Sequence, residues 1–215
     1  MFPGYMEGET TQRIAGGIFE KIQHYDYGIQ LASNYMTGEF MPHICIMQTD
    51  LEYSRLAGEF GMPYVLLRTP RPYDTTTLNY NWQIWETQAF SIYTTNTEKA
   101  DKESAAQAVK GILNFLSKQG IIEYSGHDGY ISRVVDDREL VSVRTKKAGF
   151  FEALVEVNEE VKKGQLLANI IDTYEGELRD SLYAPCDGTI LFLHDEPMTY
   201  EDTAVIKLIP TGAGR

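Results

Sequence analysis

Cysteine and long apolar runs are both scarce in this sequence, and each scarcity narrows the class of protein. The 215 residues include two cysteines. Cys45 and Cys186 lie in segments that both resemble buried strands, so we expect reduced intracellular thiols rather than a disulfide. No window approaches the ~20 uninterrupted apolar residues of a membrane-spanning helix. Residues 1–5 also lack the basic and then apolar pattern of a signal peptide. We therefore expect a soluble, cytoplasmic protein without a membrane partner.

Positive charge is also in short supply. The chain has 19 Lys and Arg against 31 Asp and Glu, for a formal net charge of −12. A protein that neutralises phosphate backbones needs a cationic surplus, so we expect no nucleic-acid partner. What remains, 43% hydrophobic and 23% charged, is the composition of an ordinary globular protein with one large or two small domains.

The patterning changes near residue 124. Before that point, short apolar runs alternate with helical patterns, which predicts β-α-β units and a mixed sheet with flanking helices in an α/β domain over residues 1–124. The first helix follows Thr10 as N-cap and carries Ile14, Ile18 and Ile22 on one face. The expected strands cover residues 27–32, 43–47, 64–68 and 89–95.

Residues 125–215 consist almost entirely of short strand patterns and turns. A weak internal repeat is visible when Gly149 is laid on Gly188, because Leu166 then falls on Val205 and Ile170 falls on Ile209. The repeat predicts two copies of one strand-turn-strand unit. We therefore expect a small all-β barrel or sandwich domain after the α/β domain.

Separated motifs in this order resemble the succinylglutamate desuccinylase/aspartoacylase family, zinc-dependent hydrolases related to the zinc carboxypeptidases. The stretch just after the family's Asn-Arg substrate motif is similar to FPG at 2–4 and TQRIA at 11–15. Its Asp-Leu-His strand is similar to DYGIQLAS at 26–33. Its final catalytic strand and helix are similar to TLNY at 77–80 through GILNFL at 111–116. The family's appended β-domain, itself akin to lipoyl and biotinyl carriers, is similar to GFFE at 149–152, VKKGQ at 161–165 and APCDG at 184–188.

The resemblance implies a zinc site, but the matching positions cannot form one. Zinc hydrolysis needs three protein ligands and a carboxylate base. The family's third ligand corresponds to Ala32 and its base to Tyr93, yet a methyl group has no lone pair and a phenol with a pKa near ~10 is a poor base. The first two ligands lie upstream of the family's Asn-Arg motif, and the sequence begins after it. We therefore expect the last two thirds of a larger enzyme, without a complete metal site.

Other residues are candidates for ligand contact rather than catalysis. His43 begins a strand beside the expected pocket rim, and Arg71 and Tyr73 lie in a proline-bounded loop where a guanidinium and a phenol suit a carboxylate. A solvated loop and a polar strand end are the alternatives. The expected ligand is a small anionic N-acyl amino acid or peptide. No two of the histidines have the spacing of a local metal pair; they are His24, His43, His127 and His194.

The β-domain resembles a carrier but lacks the residue that a carrier modifies. The segment at 173–180, midway between the two repeats, contains no lysine. We therefore expect a packing or oligomerisation module rather than a lipoylated or biotinylated arm.

Three functional hypotheses remain. The favoured one is a family member without an intact zinc site, catalytically impaired or inactive alone. The second is an active zinc-dependent amide hydrolase whose missing ligands come from an upstream segment or a partner, and only this alternative requires a zinc cofactor. The third is a non-enzymatic ligand-binding or assembly protein. Because loss of strands exposes sheet edges, we also expect a homo-oligomer or a partner chain.

Overall fold

A computed structural model describes residues 1–47, 51–96, 99, 101–126 and 129–213. The helices are α1 Thr10–Ile22, α2 Leu51–Gly58, α3 Leu78–Ile84 and α4 Lys102–Lys118, with 3₁₀ turns at Pro72–Thr76 and Asp137–Glu139. The strands are β1 Tyr27–Ala32, β2 Glu39–Phe40, β3 His43–Met47, β4 Tyr64–Arg68, β5 Gln88–Tyr93, β6 Arg133–Asp136, β7 Val141–Arg144, β8 Gly149–Ala153, β9 Glu160–Val161, β10 Leu166–Ile171, β11 Leu178–Tyr183, β12 Gly188–Leu193, β13 Met198–Thr199 and β14 Ala204–Pro210.

The chain forms two compact units. The first comprises Met1–Ala32, His43–Tyr93 and Ala108–Asp137, and the second comprises Ser33–Pro42, Thr94–Gln107 and Arg138–Arg215. None of the helices in the described part of the chain combines the length and apolarity that crossing a bilayer requires.

The first unit is built on a mixed five-stranded sheet with the order β1-β5-β3-β4-β6. The β3–β5 pair is antiparallel, whereas β1–β5, β3–β4 and β4–β6 are parallel. One face carries the apolar core, in which strand residues such as Ile44 and Phe90 pack with Phe60 and with Phe115 of α4. This arrangement confirms the predicted mixed α/β fold. Since side chains alternate along a strand, the other face presents a different set of residues.

Helix α1 buries a different face from the one that its isoleucines suggest. Ile14 and Ile18 are 58% and 44% exposed, whereas Ala15 and Phe19 are buried. Phe19 packs against Phe2 and Trp85, with ring centroids 6.4 and 5.7 Å apart. The aromatic partners therefore decide which side of the helix is covered, and of the three isoleucines only Ile22 packs against the buried cluster.

The start of α1 also differs from the prediction. Glu9, not Thr10, is the N-cap, within a capping box in which the Glu9 backbone N–H donates to Gln12 Oε1 at 3.0 Å. The cap thus lies one residue earlier, because a reciprocal pair of side chains satisfies more of the free N–H groups than a single hydroxyl does.

The second unit contains two sheets, with the orders β11-β10-β8-β13 and β2-β12-β14-β7. The strands of the predicted repeat pair as antiparallel β8–β10 and β12–β14. The short strands cross between the copies, because β9 pairs with β12 and β13 pairs with β8. Buried residues from both copies share one core, including Leu167, Ile170, Ile190, Ile206 and Leu208.

Candidate functional site

Three of the residues singled out in the sequence lie side by side on the sheet of the first unit. Ala32 at the end of β1 pairs with Tyr93 at the end of β5, and Tyr93 pairs with His43 at the start of β3. The rings of His43 and Tyr93 are stacked, with centroids 5.0 Å apart and planes 11° apart. His43 is only 3% exposed. The sheet register thus forms one row from Ala32, Tyr93 and His43.

A neighbouring row, which is polar, lies two residues away from the first on each strand. Gln30 pairs with Ser91, and Ser91 pairs with Cys45. Helix α3 covers this row, since the buried Asn79 donates from Nδ2 to Ser91 Oγ at 2.8 Å. The Asn79 Oδ1 atom is buried without a hydrogen-bond partner among the described residues. The face opposite the main apolar core therefore carries this polar row, beside a smaller apolar cluster of Phe19, Trp82 and Ala89.

Burial keeps the Tyr93 phenol and the Cys45 thiol protonated. Desolvation raises the pKa of Tyr93 to about 12, with a further increase from Cys45 and a partial decrease from the Arg68 charge. Desolvation likewise raises the pKa of the Cys45 thiol to about 12. At neutral pH the phenol can donate but not accept a proton, and the thiol is not a nucleophile.

A buried carboxylate beside this face is already paired. Asp74 is 2% exposed and accepts from Arg68, with Arg68 Nη2 to Asp74 Oδ1 at 3.0 Å and Nε to Oδ2 at 3.3 Å. The Arg71 backbone N–H also donates to Asp74 Oδ2, at 2.9 Å. Asp74 thus fixes the proline-bounded loop to the end of β4 and is held by a cation, which makes it a structural anion rather than a base.

Arg71 and Tyr73 form a surface pair on the same loop. Arg71 Nη1 donates to Tyr73 Oη at 2.8 Å, and Arg71 Nη2 lies 3.7 Å from Asp137 Oδ2. Both side chains are exposed, and the Arg68 guanidinium lies 5.7 Å from the Tyr73 ring centroid. The structure therefore brings Arg68, Arg71 and Tyr73 together at the end of β4, and His43 together with Tyr93 in the row described above.

His24 and His194 each contact an aromatic ring. The His24 ring lies edge-on to Trp85 at 6.2 Å, and His194 is buried in the second unit against Phe151 at 5.4 Å. His127 lies outside the described residues. Among the residues that the structure does describe, no group of three or more His, Cys, Asp or Glu side chains could hold a metal ion.

At the described positions Ala32 and Tyr93, the side chains do not fit the donor set of a catalytic zinc. Such a site takes nitrogen, sulfur or carboxylate donors from three protein ligands. Ala32 offers a methyl group, its neighbour Tyr93 offers a protonated phenol, and the buried Asp74 is paired with Arg68. We therefore derive no metal-dependent step from this face.

Sequence reasoning missed several of the polar residues on or beside this face. Cys45 and Ser91 lie two positions from His43 and Tyr93, so strand alternation was a usable signal for both. Arg68 and Asp74 flank a pair of prolines that reads as an ordinary loop. Asn79 belongs to a short helix that the sequence pattern did not predict.

Solved structures share this architecture over almost the whole chain. A succinylglutamate desuccinylase from Silicibacter matches 96% of the chain with a TM-score of 0.82 and 19% identity. A succinylglutamate desuccinylase/aspartoacylase from Rhodobacter sphaeroides matches 96% with a TM-score of 0.79 and 18% identity. The chain has the fold of the succinylglutamate desuccinylase/aspartoacylase proteins. The resemblance inferred from the sequence motifs is thereby confirmed at the level of the fold.

The chain matches only part of the length of these succinylglutamate desuccinylase/aspartoacylase structures. The chain covers 65% of the length of the Silicibacter and Rhodobacter proteins. An ectoine utilization protein from Ruegeria pomeroyi matches 99% of the chain and 68% of its own, with a TM-score of 0.80 and 20% identity. No family model and no curated protein sequence matches the chain.

Proposed function

We propose that the chain is a member of the succinylglutamate desuccinylase/aspartoacylase family that lacks an intact zinc site and is catalytically impaired or inactive alone. The observation that carries the proposal is the pairing of Ala32 with Tyr93 on adjacent strands. The motif resemblance assigns the third zinc ligand and the general base to these two positions. A ligand and a base of one site must lie close together, and the pairing of Ala32 with Tyr93 supports that assignment.

The chemistry of both residues supports the proposal. The Ala32 methyl group cannot donate an electron pair to a metal. Burial raises the pKa of Tyr93 to about 12, so the phenol cannot take a proton from water at neutral pH. The stacking of Tyr93 on His43 gives the pair a packing role instead.

The loop after β4 supports a ligand-binding function that is compatible with the loss of catalysis. Arg71 and Tyr73 are exposed, and their hydrogen bond places a cation beside a phenol hydroxyl. Such a pair suits a carboxylate, and a small anionic N-acyl amino acid or peptide is the proposed ligand. Isothermal titration with N-acyl amino acids tests this; loss of binding in Arg71→Ala supports it, and absence of binding in the parent chain contradicts it.

Metal analysis combined with an activity assay tests the loss of catalysis. The chain is purified without chelator, its zinc content is measured, and hydrolysis of N-acyl amino acids is assayed with and without added zinc. We expect substoichiometric zinc and no turnover in either case. Ala32→His is the matched variant, and a single added imidazole should not raise the zinc content. Stoichiometric zinc with turnover abolished by a chelator would contradict the proposal.

The alternative is an active zinc-dependent hydrolase whose remaining ligands come from an upstream segment or a partner chain. The coverage of 65% of the Silicibacter protein favours keeping it as a candidate. The DNA before the start codon distinguishes the two, because an in-frame His-and-Glu motif there would supply the first ligands. A longer protein expressed from the natural gene, with zinc bound to it, would establish this alternative.

For the second unit we propose a packing or oligomerisation module that resembles lipoyl and biotinyl carriers without their modification. The β10–β11 turn exposes Tyr174 where a carrier would present lysine, and Asp172 fixes the turn by accepting from the Tyr174 and Glu175 backbone N–H groups at 2.9 and 3.1 Å. The intact mass should therefore show no added lipoyl or biotinyl group.

We also propose a cytoplasmic location, which the free thiols of Cys45 and Cys186 support.

A further inference from the structure

An exposed row of apolar side chains crosses the four-stranded sheet of the second unit. Leu178 pairs with Ile171, Ile171 pairs with Phe150, and Phe150 pairs with Met198. Leu178, Phe150 and Met198 are 63%, 43% and 42% exposed. We name these four residues the apolar row. Its members belong to the four neighbouring strands of the sheet, so the row is a continuous feature of the surface and not a scatter of single residues.

Strand alternation explains why the row faces outward. Ile170 is fully buried and Phe151 packs against the core, so their neighbours Ile171 and Phe150 point to the opposite face. Thr199 is buried in the same way beside Met198. The core of the unit is therefore complete without the apolar row, and the row is available for another surface.

Carboxylates flank the apolar row. The neighbouring positions on β8, the β10–β11 turn and the residue before Pro197 carry Glu152, Asp172, Glu175, Glu177 and Glu196. Asp180 is not among them because it pairs with the core-facing Ile170, and Asp195 is paired with Lys99 at 3.5 Å. Glu152 lies on the same face as Phe150 and accepts from Asn169 Nδ2 at 2.9 Å. Arg179 is tied to Asp172 at 3.5 Å and to the Ala148 carbonyl at 3.0 Å, and Lys146 and Lys147 lie in the bend before β8. Carboxylates therefore outnumber cations around the row, and we call them the acidic rim.

We propose that the apolar row is a docking surface for a segment of another protein that presents apolar side chains flanked by lysine or arginine. The apolar row needs an apolar partner to remove it from water, and the acidic rim selects a cationic one. A second copy of the chain would bring the same carboxylates against each other, which like-charge repulsion opposes. This inference concerns the second unit and does not depend on the proposed loss of catalysis.

Two labelled peptides test the proposal against the full chain. One alternates leucine with lysine, and the other alternates leucine with glutamate. Fluorescence anisotropy should show binding of the leucine–lysine peptide, weaker at high salt, and no binding of the leucine–glutamate peptide. The variant Phe150→Ser/Leu178→Ser should weaken binding at least about tenfold. The control Ile121→Ser/Ile131→Ser removes two exposed isoleucines of the first unit, and it should bind as the parent does.

A charge-reversal variant tests the rim separately from the apolar row. Glu152→Lys/Glu177→Lys keeps all four apolar side chains and should shift the preference toward the leucine–glutamate peptide. The proposal is overturned if neither peptide binds, if both bind alike, or if Phe150→Ser/Leu178→Ser binds as tightly as the parent. It is also overturned if the parent self-associates in sedimentation velocity and Phe150→Ser/Leu178→Ser becomes monomeric, because the occupant would then be a second copy.

Discussion

Removing the charge of Asp74 should destabilise the first unit far more than removing the charge of a surface carboxylate. Asp74 is 2% exposed and the side chain of its partner Arg68 is 21% exposed. Loss of one partner from a buried pair costs about 3–5 kcal/mol. Because a fifth of the Arg68 side chain reaches water, we expect Asp74→Asn to lower the free energy of unfolding by about 2–3 kcal/mol.

The matched control is Asp202→Asn. Asp202 Oδ1 lies 2.6 Å from Arg144 Nε, with side chains 80% and 50% exposed respectively. Exposed pairs contribute little because water and salt screen them, so this variant should change the free energy of unfolding by less than about 1 kcal/mol. Asparagine also tolerates the positive φ of 59° at this position. Urea unfolding at neutral pH compares the two variants.

A double variant separates an orphaned charge from lost packing. Arg68→Met/Asp74→Asn removes the guanidinium that Asp74→Asn leaves unpaired, so the double variant should be more stable than Asp74→Asn alone. The reasoning fails if Asp74→Asn costs no more than Asp202→Asn. It also fails if the double variant is the less stable of the two, because the loss would then come from packing of the Arg68 stem.

Three further outcomes follow from burial and close contact. Burial raises the pKa of Cys45 from 9.0 to about 12, so in this pH range the folded state keeps a proton that the unfolded state loses. The free energy of unfolding should therefore fall by roughly 4 kcal/mol as pH rises through the range. Cys45→Ala should make this pH dependence shallower in urea unfolding, and an unchanged pH dependence would contradict the prediction. Gly188→Ala should cost about 3 kcal/mol because its Cβ would lie 2.5 Å from the Ile209 carbonyl oxygen, whereas Gly164→Ala, in open space at φ +83°, should cost about 1 kcal/mol; equal thermal shifts would refute the difference. Phe19→Ala should cost about 3–4 kcal/mol and the exposed Ile18→Ala less than about 1 kcal/mol, and the reverse order in chemical denaturation would show that the isoleucine face is the buried one.

The strands that the sequence predicts best are the ones whose apolar runs end in turn residues. Residues 27–32, 43–47 and 64–68 coincide with β1, β3 and β4, because each run is short, apolar and bounded. The segment of α3 was missed because two asparagines and a tryptophan give it weak helical propensity. Its signal was Thr77, which accepts from the Tyr80 backbone N–H as an N-cap.

The candidate site shows what local pattern cannot supply. The resemblance selected Ala32 and Tyr93 separately, but β1 and β5 become neighbours only through a parallel pairing between distant parts of the chain. The sequence could not show which face of α1 is buried, for the same reason. Ile14 and Ile18 form a valid apolar stripe, and only the position of Phe2 and Trp85 decides that Phe19 is buried in their place.

The crossed pairing of the short strands has a consequence for the order in which the second unit is made. Strand β8 can pair with β13 only after Thr199, the partner of Gly149, has been synthesised. Strand β9 can pair only after Gly188 of β12 has been synthesised. Neither copy of the repeat can complete its sheet from its own residues. A ribosome that has released only the first copy therefore holds a segment with unpaired strand edges, and we expect stable structure in this unit only after β14 has emerged.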